Sequence, residues 1–142
     1  MIYLDTSVLF PLFVPEPSSA AIRGWLQQRS GEVLSISDWT QTEFASAMGI
    51  KVRQKGLSAS RARSACALFE QLASESLRVL TPSRADYARA AQYLSQHRLG
   101  LRAGDALHLA VAAGAGAETV YSLDRRFVAA GRKLKIRTAT PI

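Results

Sequence analysis

The stretch that decides the fold is the opening one, Met1-Ile2-Tyr3-Leu4-Asp5-Thr6-Ser7. It joins a short apolar, β-favouring run to a carboxylate and then to two hydroxyls. Such a run predicts a strand buried on both faces, as in a parallel sheet covered by helices. Asp5 then lies where the strand ends, at the edge where α/β sheets bind their ligands. Because a charge there needs water, a metal ion or a partner group, we interpret Asp5 as the first member of an acidic cluster.

The composition indicates one compact domain over residues 1–142 with a surplus of basic residues. The chain is 48% hydrophobic and carries a formal net charge of +7, from 18 Lys and Arg against 11 Asp and Glu. This length and composition suffice for a core of its own. The basic balance favours a polyanionic partner such as nucleic acid over an acidic small substrate. Since acidic residues are scarce, each of them calls for an explanation.

Three features predict a cytoplasmic protein that does not contact the membrane. Cys66 is the only cysteine, so an intrachain disulfide is excluded and a reducing compartment is expected. The apolar run at residues 8–14 is too short for a membrane span and is interrupted by Pro11. No Lys or Arg precedes that run, which argues against a signal peptide.

The rest of the chain alternates predicted helices with predicted strands. Further strands are expected at residues 33–36, 77–80 and 119–122 and, at the sheet edge, at 134–138. Helices are expected at about residues 18–29, 38–54 and 58–76, from 83 onward, and at 102–113 and 124–130. We expect Asp38 to cap its helix, with Gln41 completing a capping box, and Gly131 to end the last helix. This alternation predicts an α/β fold with a mainly parallel sheet of four to five strands.

Two of these helices form a predicted hairpin with a basic tip and flank, called here the basic hairpin. Every charged residue between Glu43 and Glu70 is positive, namely Lys51, Arg53, Lys55, Arg61 and Arg63. Basic side chains of this kind neutralise nucleic-acid phosphates. We therefore expect the basic hairpin to supply phosphate contacts.

Four carboxylates share a placement relative to the predicted elements. Asp5 and Asp124 follow strands, whereas Glu43 and Asp105 lie near helix starts. In a parallel sheet with returning helices, these positions gather at one edge. Carboxylates that lie close together repel one another, and this repulsion raises the pKa of each. A hard divalent cation such as Mg²⁺ or Mn²⁺ offsets the repulsion and is therefore expected among them. Such a cation supports the attack of water on a phosphodiester.

Each of these acids also has a structural explanation. Asp5 and Asp124 could cap helices, and Glu43 could be an acid favoured by the helix dipole. For Asp105 we favour a site role, because it begins a helix that is apolar nearly all round. His108 lies one helical turn after Asp105 and could contact the site, but the favoured interpretation is a hydrogen-bonded core histidine.

Asp86 follows Ser83 by three residues, so a capping box explains it without any functional role. The neighbouring pair Arg125 and Arg126 fits two interpretations equally: contact with substrate phosphates, or ordinary solvated charge.

Four segments together resemble the PIN-domain ribonucleases. They are Ile2-Tyr3-Leu4-Asp5-Thr6-Ser7, Thr42-Glu43-Phe44, Arg102-Ala103-Gly104-Asp105-Ala106-Leu107-His108-Leu109-Ala110 and Tyr121-Ser122-Leu123-Asp124-Arg125-Arg126-Phe127. The resemblance covers essentially the whole chain, and the size and arrangement are similar to the VapC-type toxins of toxin–antitoxin pairs. It implies a Rossmann-like α/β/α sandwich, endoribonuclease activity dependent on Mg²⁺ or Mn²⁺, a homodimer, and inhibition by a cognate antitoxin.

Carried over position by position, the acidic quartet of the family falls on Asp5, Glu43, Asp105 and Asp124. We expect Asp5 and Asp105 to bind the cation directly, and the other two acids to complete the shell, either directly or through water, and to orient the attacking water. The nearby hydroxyls of Thr6, Ser7 and Ser122 are expected to hydrogen-bond the carboxylates. Ser122 stands where many members of the family have threonine, which keeps a hydroxyl at that position.

Two alternatives from other classes remain at this stage. A phosphatase with an aspartate nucleophile would also open on a strand ending in Asp, but such enzymes typically carry a second acid where this chain has Ser7. A non-catalytic module that binds RNA or protein would keep the fold and show no metal-dependent cleavage. A dinucleotide site is disfavoured because no Gly-x-Gly-x-x-Gly follows any predicted strand.

Overall fold

Five short strands form one sheet in which every neighbouring pair is parallel. The computed structural model describes residues 1–142. In chain order the strands are β1 (Ile2–Leu4), β2 (Leu34–Ser37), β3 (Arg78–Leu80), β4 (Thr119–Tyr121) and β5 (Thr138–Ala139). Their order across the sheet is β3-β2-β1-β4-β5. The predicted α/β fold is confirmed, and the sheet is parallel throughout.

Seven α-helices connect and cover the strands. They are α1 (Thr6–Leu9), α2 (Ser19–Gln27), α3 (Asp38–Arg53), α4 (Ala59–Ser76), α5 (Arg84–Leu94), α6 (Ala103–Gly114) and α7 (Arg125–Lys133). Two short 3-10 turns, Phe10–Leu12 and His97–Leu99, follow α1 and α5. No helix has both the length and the apolar character that crossing a membrane requires.

The central strand β1 marks the point where the direction of winding reverses. From β1 the chain moves outward to β2 and β3, and then returns to the other side of β1 to form β4 and β5. Ile2 pairs with Leu34 on one side and with Thr119 on the other. In open parallel sheets, ligands bind at the carboxyl ends of the strands beside this reversal. The ends of β1 and β4 are therefore where a site is expected.

Alternating residues of β1 serve two hydrophobic cores, one on each face of the sheet. Ile2 and Leu4 belong to the core under α2, α3 and α4, in which Phe44 and Phe69 stack with ring centroids 4.1 Å apart. Tyr3 belongs to the core under α5, α6 and α7. Helix α6 is buried without interruption from Ala106 to Ala112, as its uniformly apolar sequence predicts.

The predicted capping residue of α3 is wrong by one position, although the helix begins at Asp38 as predicted. Ser37 rather than Asp38 is the capping residue, since its backbone is still extended and its N–H donates to Thr40 Oγ1 at 3.1 Å. Asp38 is exposed and begins the helix. The cause is the position of β2, which extends to Ser37, so that Ser37 is the last extended residue before the helix. At α5 the predicted capping box is confirmed, because the Ser83 N–H donates to Asp86 Oδ2 at 2.9 Å.

The predicted end of α7 at Gly131 is also wrong, because the helix continues to Lys133. Gly131 lies where α7 packs against β5, and a Cβ there would overlap the Thr138 methyl group. The glycine thus permits a close approach rather than a helix stop. Strand β5 begins later than predicted, at Thr138, because Lys135 adopts a positive φ of 62° in the turn before it.

Candidate active site

The four predicted acids line one cleft at the carboxyl edge of the sheet, with a volume of about 510 Å³. Asp5 follows β1 directly, and Asp124 follows β4 and precedes α7. Glu43 comes from the second turn of α3, and Asp105 from the first turn of α6. The topology therefore brings together acids that are far apart in the sequence.

Asp5 is held in place by hydroxyl groups. It is 7% exposed, and its Oδ2 accepts hydrogen bonds from Ser7 Oγ at 2.6 Å and from Ser122 Oγ at 2.7 Å. Ser7 Oγ also accepts from the Leu123 N–H at 2.9 Å. These contacts lock the end of β1 to the segment after β4, and they confirm that the two serines bind a carboxylate. The Asp5 side chain forms no capping bond to α1.

Glu43 is fixed through one oxygen by two donors. Its Oε2 accepts hydrogen bonds from Thr6 Oγ1 and from His108 Nε2, the latter at 2.9 Å. Burial acts to raise the pKa of Glu43, but the His108 imidazole and the Thr6 hydroxyl outweigh it and hold the pKa below its usual value. Glu43 is therefore kept ionised.

His108 is the buried, hydrogen-bonded histidine that the sequence favoured, and the less favoured contact with the site is also present. It is completely buried, yet its Nε2 faces Glu43 and lies 3.4 Å from Asp5 Oδ1. On its other side the Nδ1 lies 2.8 Å from the Tyr3 hydroxyl, which donates its own proton to Ser37 Oγ. Both ring nitrogens therefore lie within hydrogen-bond distance of an oxygen atom, an arrangement that an imidazolium satisfies by donating from both nitrogens.

The environment of His108 favours that charged form. Burial disfavours it, but the Tyr3 oxygen and the carboxylates of Glu43 and Asp5 raise the pKa of His108 above its ordinary value. A buried positive charge thus offsets part of the repulsion among the acids. The four carboxylates still outnumber it, so the cleft remains strongly negative. The sequence contained one signal for the contact of His108 with the site. His108 follows Asp105 by three residues on a buried helix, so the two side chains lie on the same face.

Asp105 and Asp124 each accept backbone hydrogen bonds at a helix start. Asp105 Oδ2 accepts from the Arg102 N–H at 3.0 Å, and Asp124 Oδ1 accepts from the Arg126 and Phe127 N–H groups at 2.7 and 3.3 Å. Burial raises the pKa of Asp105, with added repulsion from Asp5, Asp124 and Glu43. Asp105 and Asp124 thus each accept backbone hydrogen bonds at a helix start and also line the acidic cleft.

The donor set fits a hard divalent cation. In each of the four carboxylates one oxygen accepts the protein hydrogen bonds, while the other accepts none. Ligand atoms of Asp5 and Glu43 lie within 4.8 Å of each other and of a His108 ring nitrogen, which as part of an imidazolium offsets charge and is not itself a ligand. Free carboxylate oxygens in a negative cleft are the ligands that Mg²⁺ and Mn²⁺ prefer. The arrangement can therefore bind a metal ion.

Trp39 and Gly104 form a tight wall behind Glu43. A Cβ on Gly104 would lie 3.1 Å from Glu43 Oε1 and 3.1 Å from Trp39 Nε1. The indole N–H is buried and has no hydrogen-bond acceptor. Trp39 packs against the core under α5, α6 and α7, as its apolar helix face predicts. Its contact with the site was not predicted, because Gly104 has no side chain to suggest it.

Comparison with protein families identifies the class of fold and site. The sequence profile of the PIN domain matches residues 2–133, and this chain belongs to the PIN domain family. No curated protein matches the chain by sequence.

Several solved structures share the fold. VapC20 of Mycobacterium tuberculosis, described as a sarcin–ricin loop cleaving toxin, is 23% identical with a TM-score of 0.72, over 92% of this chain and 95% of that one. DNA-bound VapBC of Salmonella typhimurium is 19% identical with a TM-score of 0.73, over 99% and 98%. FitAcB of Neisseria gonorrhoeae is 22% identical with a TM-score of 0.69, over 99% and 98%. At these identities the likeness establishes the fold alone.

Proposed function

We propose that this chain is a divalent-cation-dependent endoribonuclease and the toxin of a toxin–antitoxin pair. The observation that supports this most strongly is the meeting of Asp5, Glu43, Asp105 and Asp124 in one cleft. Each acid is anchored by one oxygen and leaves the other free. Anchored carboxylates of this kind are preorganised for a cation and for the charge that develops at a phosphodiester.

In this proposal Asp5 and Asp105 hold Mg²⁺ or Mn²⁺ directly, and Glu43 and Asp124 complete the shell through water. When bound, the cation lowers the pKa of water and neutralises charge on the scissile phosphodiester. Asp5 suits a direct role because Ser7 and Ser122 fix its orientation and it is nearly buried.

The remaining side chains position these acids. His108 and Thr6 keep Glu43 ionised, so its free Oε1 serves as a hydrogen-bond acceptor that orients the attacking water. The imidazolium of His108 limits the repulsion between Asp5 and Glu43 while the cleft is without a cation. These positioning residues reduce the reorganisation that the reaction requires.

The toxin assignment rests on the shared fold of the similar structures. These include a toxin that cleaves the sarcin–ricin loop and VapBC complexes bound to DNA. We accordingly infer an RNA substrate, a cognate antitoxin protein, a homodimer and a cytoplasmic location. The net charge of +7 agrees with a polyanionic substrate.

Cleavage of total cellular RNA with and without divalent cation, with mapping of the ends produced, tests this function. The wild type should cut in Mn²⁺ or Mg²⁺ and not in EDTA. Asp5→Asn should lose cleavage by two orders of magnitude or more while keeping its circular dichroism spectrum. Glu75→Gln, an exposed acid on α4, should cut like the wild type. Full cleavage by Asp5→Asn, or cleavage in EDTA, would contradict the proposal.

A further inference from the structure

We propose that Arg102, Arg125 and Arg126 form a subsite for the RNA phosphates that flank the scissile one, called here the arginine pocket. This inference rests on the proposed ribonuclease function and adds how the substrate strand is held. It assigns the phosphate contacts nearest the cleft to the arginine pocket rather than to the basic hairpin.

The arginine pocket is a cavity that adjoins the acidic cleft. Its volume is about 340 Å³, and it is lined by polar residues and glycine alone, namely Gly100, Arg102, Asp105, Asp124, Arg125 and Arg126. Asp105 and Asp124 also line the acidic cleft. These two carboxylates therefore form the boundary between a negative cleft and a positive cavity.

The three guanidinium groups have no partner within the protein. All three residues are exposed, and none forms an ion pair or a side-chain hydrogen bond. By contrast, Arg89 is bound to Asp86 at 2.8 Å and to the Ala110 carbonyl. Free guanidinium groups that share a cavity are suited to phosphate oxygens, which they bind through paired donors.

The starts of α6 and α7 place the three arginines in the pocket but do not supply the hydrogen-bond donors that would bind phosphate. Arg102 immediately precedes α6, and Arg125 and Arg126 are the first residues of α7. The backbone N–H groups at these starts are already used, since Asp105 accepts from Arg102 and Asp124 accepts from Arg126. The guanidinium groups are therefore the free donors of the pocket.

The sign change at the boundary favours a nucleic-acid strand as the occupant. A strand with one phosphate at the cation and its neighbour among the arginines satisfies both cavities at once. Such an arrangement positions the strand without reading its bases. An acidic protein segment could bind the same arginines, and the binding experiment below separates it from RNA.

In the basic hairpin, Arg53 lies away from the scissile region, and Lys51, which reaches the cleft-lining residue Glu16, is not free. Arg53 follows Glu43 by ten residues of α3, which is about 15 Å along the helix axis. Lys51 is already paired with Glu16 at 3.0 Å. A phosphate contact of Arg53 would thus fall on a distal nucleotide, whereas the arginine pocket lies beside the acids.

Binding of a short fluorescent single-stranded RNA in EDTA tests the pocket with matched variants. The variant R102Q/R125Q/R126Q removes three arginines from the pocket, and R53Q/R61Q/R63Q removes three from the basic hairpin. We expect the pocket variant to bind the RNA about tenfold or more weakly. The slope of log K against log salt should fall by about 0.7 for each phosphate that the variant no longer neutralises. The hairpin variant should change the affinity for the short RNA by less than about threefold.

A single neutral methylphosphonate, moved along the same RNA, identifies the contacted phosphates. The wild type should lose affinity at one or two positions next to the cleavage site, and the pocket variant should lose none there. The pocket variant should bind Mn²⁺ at least as tightly as the wild type, because positive charges beside the acids are removed, and an unchanged circular dichroism spectrum should show that the fold is intact. In Mn²⁺ its KM for the RNA should rise while kcat changes by less than about twofold.

Unchanged RNA affinity in the pocket variant would overturn this inference, whether or not the wild type cleaves. Unchanged RNA affinity with weaker binding of polyglutamate would assign the pocket to an acidic protein segment and would likewise overturn it. Absence of wild-type cleavage in Mn²⁺, with weaker RNA binding by the pocket variant, would contradict the proposed function and leave the subsite supported.

Discussion

His108 shows how a single residue makes a cluster of acids compatible with folding. Its imidazolium lies between Glu43 and Asp5 and is completely buried. Convergence of the acids was expected to depend on a metal ion alone. The structure shows that the protein itself supplies one compensating charge, which stabilises the site before any cation binds.

His108→Leu should therefore destabilise the protein strongly. The change removes the charge that offsets Glu43 and Asp5, and it leaves buried polar groups without a partner. We expect the free energy of unfolding to fall by about 3–5 kcal/mol, measured by urea denaturation. His97→Leu makes the same change at an exposed position and should stay within about 0.5 kcal/mol of the wild type. Equal effects of the two substitutions would contradict the role of His108.

Gly104 is predicted to control the position of Glu43. In Gly104→Ala the new methyl group would meet both Glu43 Oε1 and the rigid Trp39 ring. Because the Glu43 carboxylate is the more flexible neighbour, it should be displaced, and Mn²⁺ affinity should fall about tenfold. Isothermal titration calorimetry measures this.

Gly24→Ala on α2 provides the control for Gly104→Ala. No atom lies within 4 Å of its new methyl group, so Mn²⁺ affinity should not change. The helix should gain about 0.5–1 kcal/mol of stability. Wild-type Mn²⁺ affinity in Gly104→Ala would show that the wall behind Glu43 has no effect on the site.

At the scale of elements, periodicity and turn residues predicted most helices and strands. The cap at Ser83 was readable because a hydroxyl precedes the helical pattern. The errors at Asp38 and Gly131 share one cause. At both places the boundary depends on a neighbouring strand, namely the extension of β2 to Ser37 and the packing of α7 on β5, and local sequence does not report either contact.

Gly131→Ala should weaken the contact between α7 and β5. Helix propensity alone predicts a gain, but the new methyl group would overlap the Thr138 side chain. Overpacking should outweigh propensity and lower the free energy of unfolding by about 1–3 kcal/mol in chemical denaturation. A stabilised Gly131→Ala protein, resembling Gly24→Ala, would show that the glycine is not required for this packing.

At the scale of the whole molecule, the topology explains what could be predicted of the site. Strand ends and the following helix starts meet at one edge, so Asp5, Glu43, Asp105 and Asp124 were expected together, and all four line one cleft, in which polar atoms of Asp5, Glu43 and His108 lie within 4.8 Å of one another. The contacts of His108 and Trp39 were not predictable, because they depend on how α3 and α6 rotate against each other. The cavity formed by the arginines depends in the same way on α6 and α7.

Asp105→Asn should weaken metal binding and should stabilise the metal-free protein. Burial and three neighbouring acids raise the pKa of Asp105, so its ionised form at pH 7 costs folding free energy. This cost is absent at low pH and appears as pH rises through the raised pKa. In EDTA the variant should melt at a higher temperature than the wild type. In Mn²⁺ it should lose the increase in melting temperature that the wild type shows. A lower melting temperature in EDTA would contradict the repulsion.

Titration of the metal-free protein with Mn²⁺, followed by electron paramagnetic resonance, tests the central claim that the acidic cleft is a metal centre. The wild type and Glu75→Gln should bind Mn²⁺ with the same affinity, whereas Asp5→Asn and Asp105→Asn should each bind at least about tenfold more weakly. Wild-type affinity in both cleft variants, or no saturable binding by the wild type, would contradict the account.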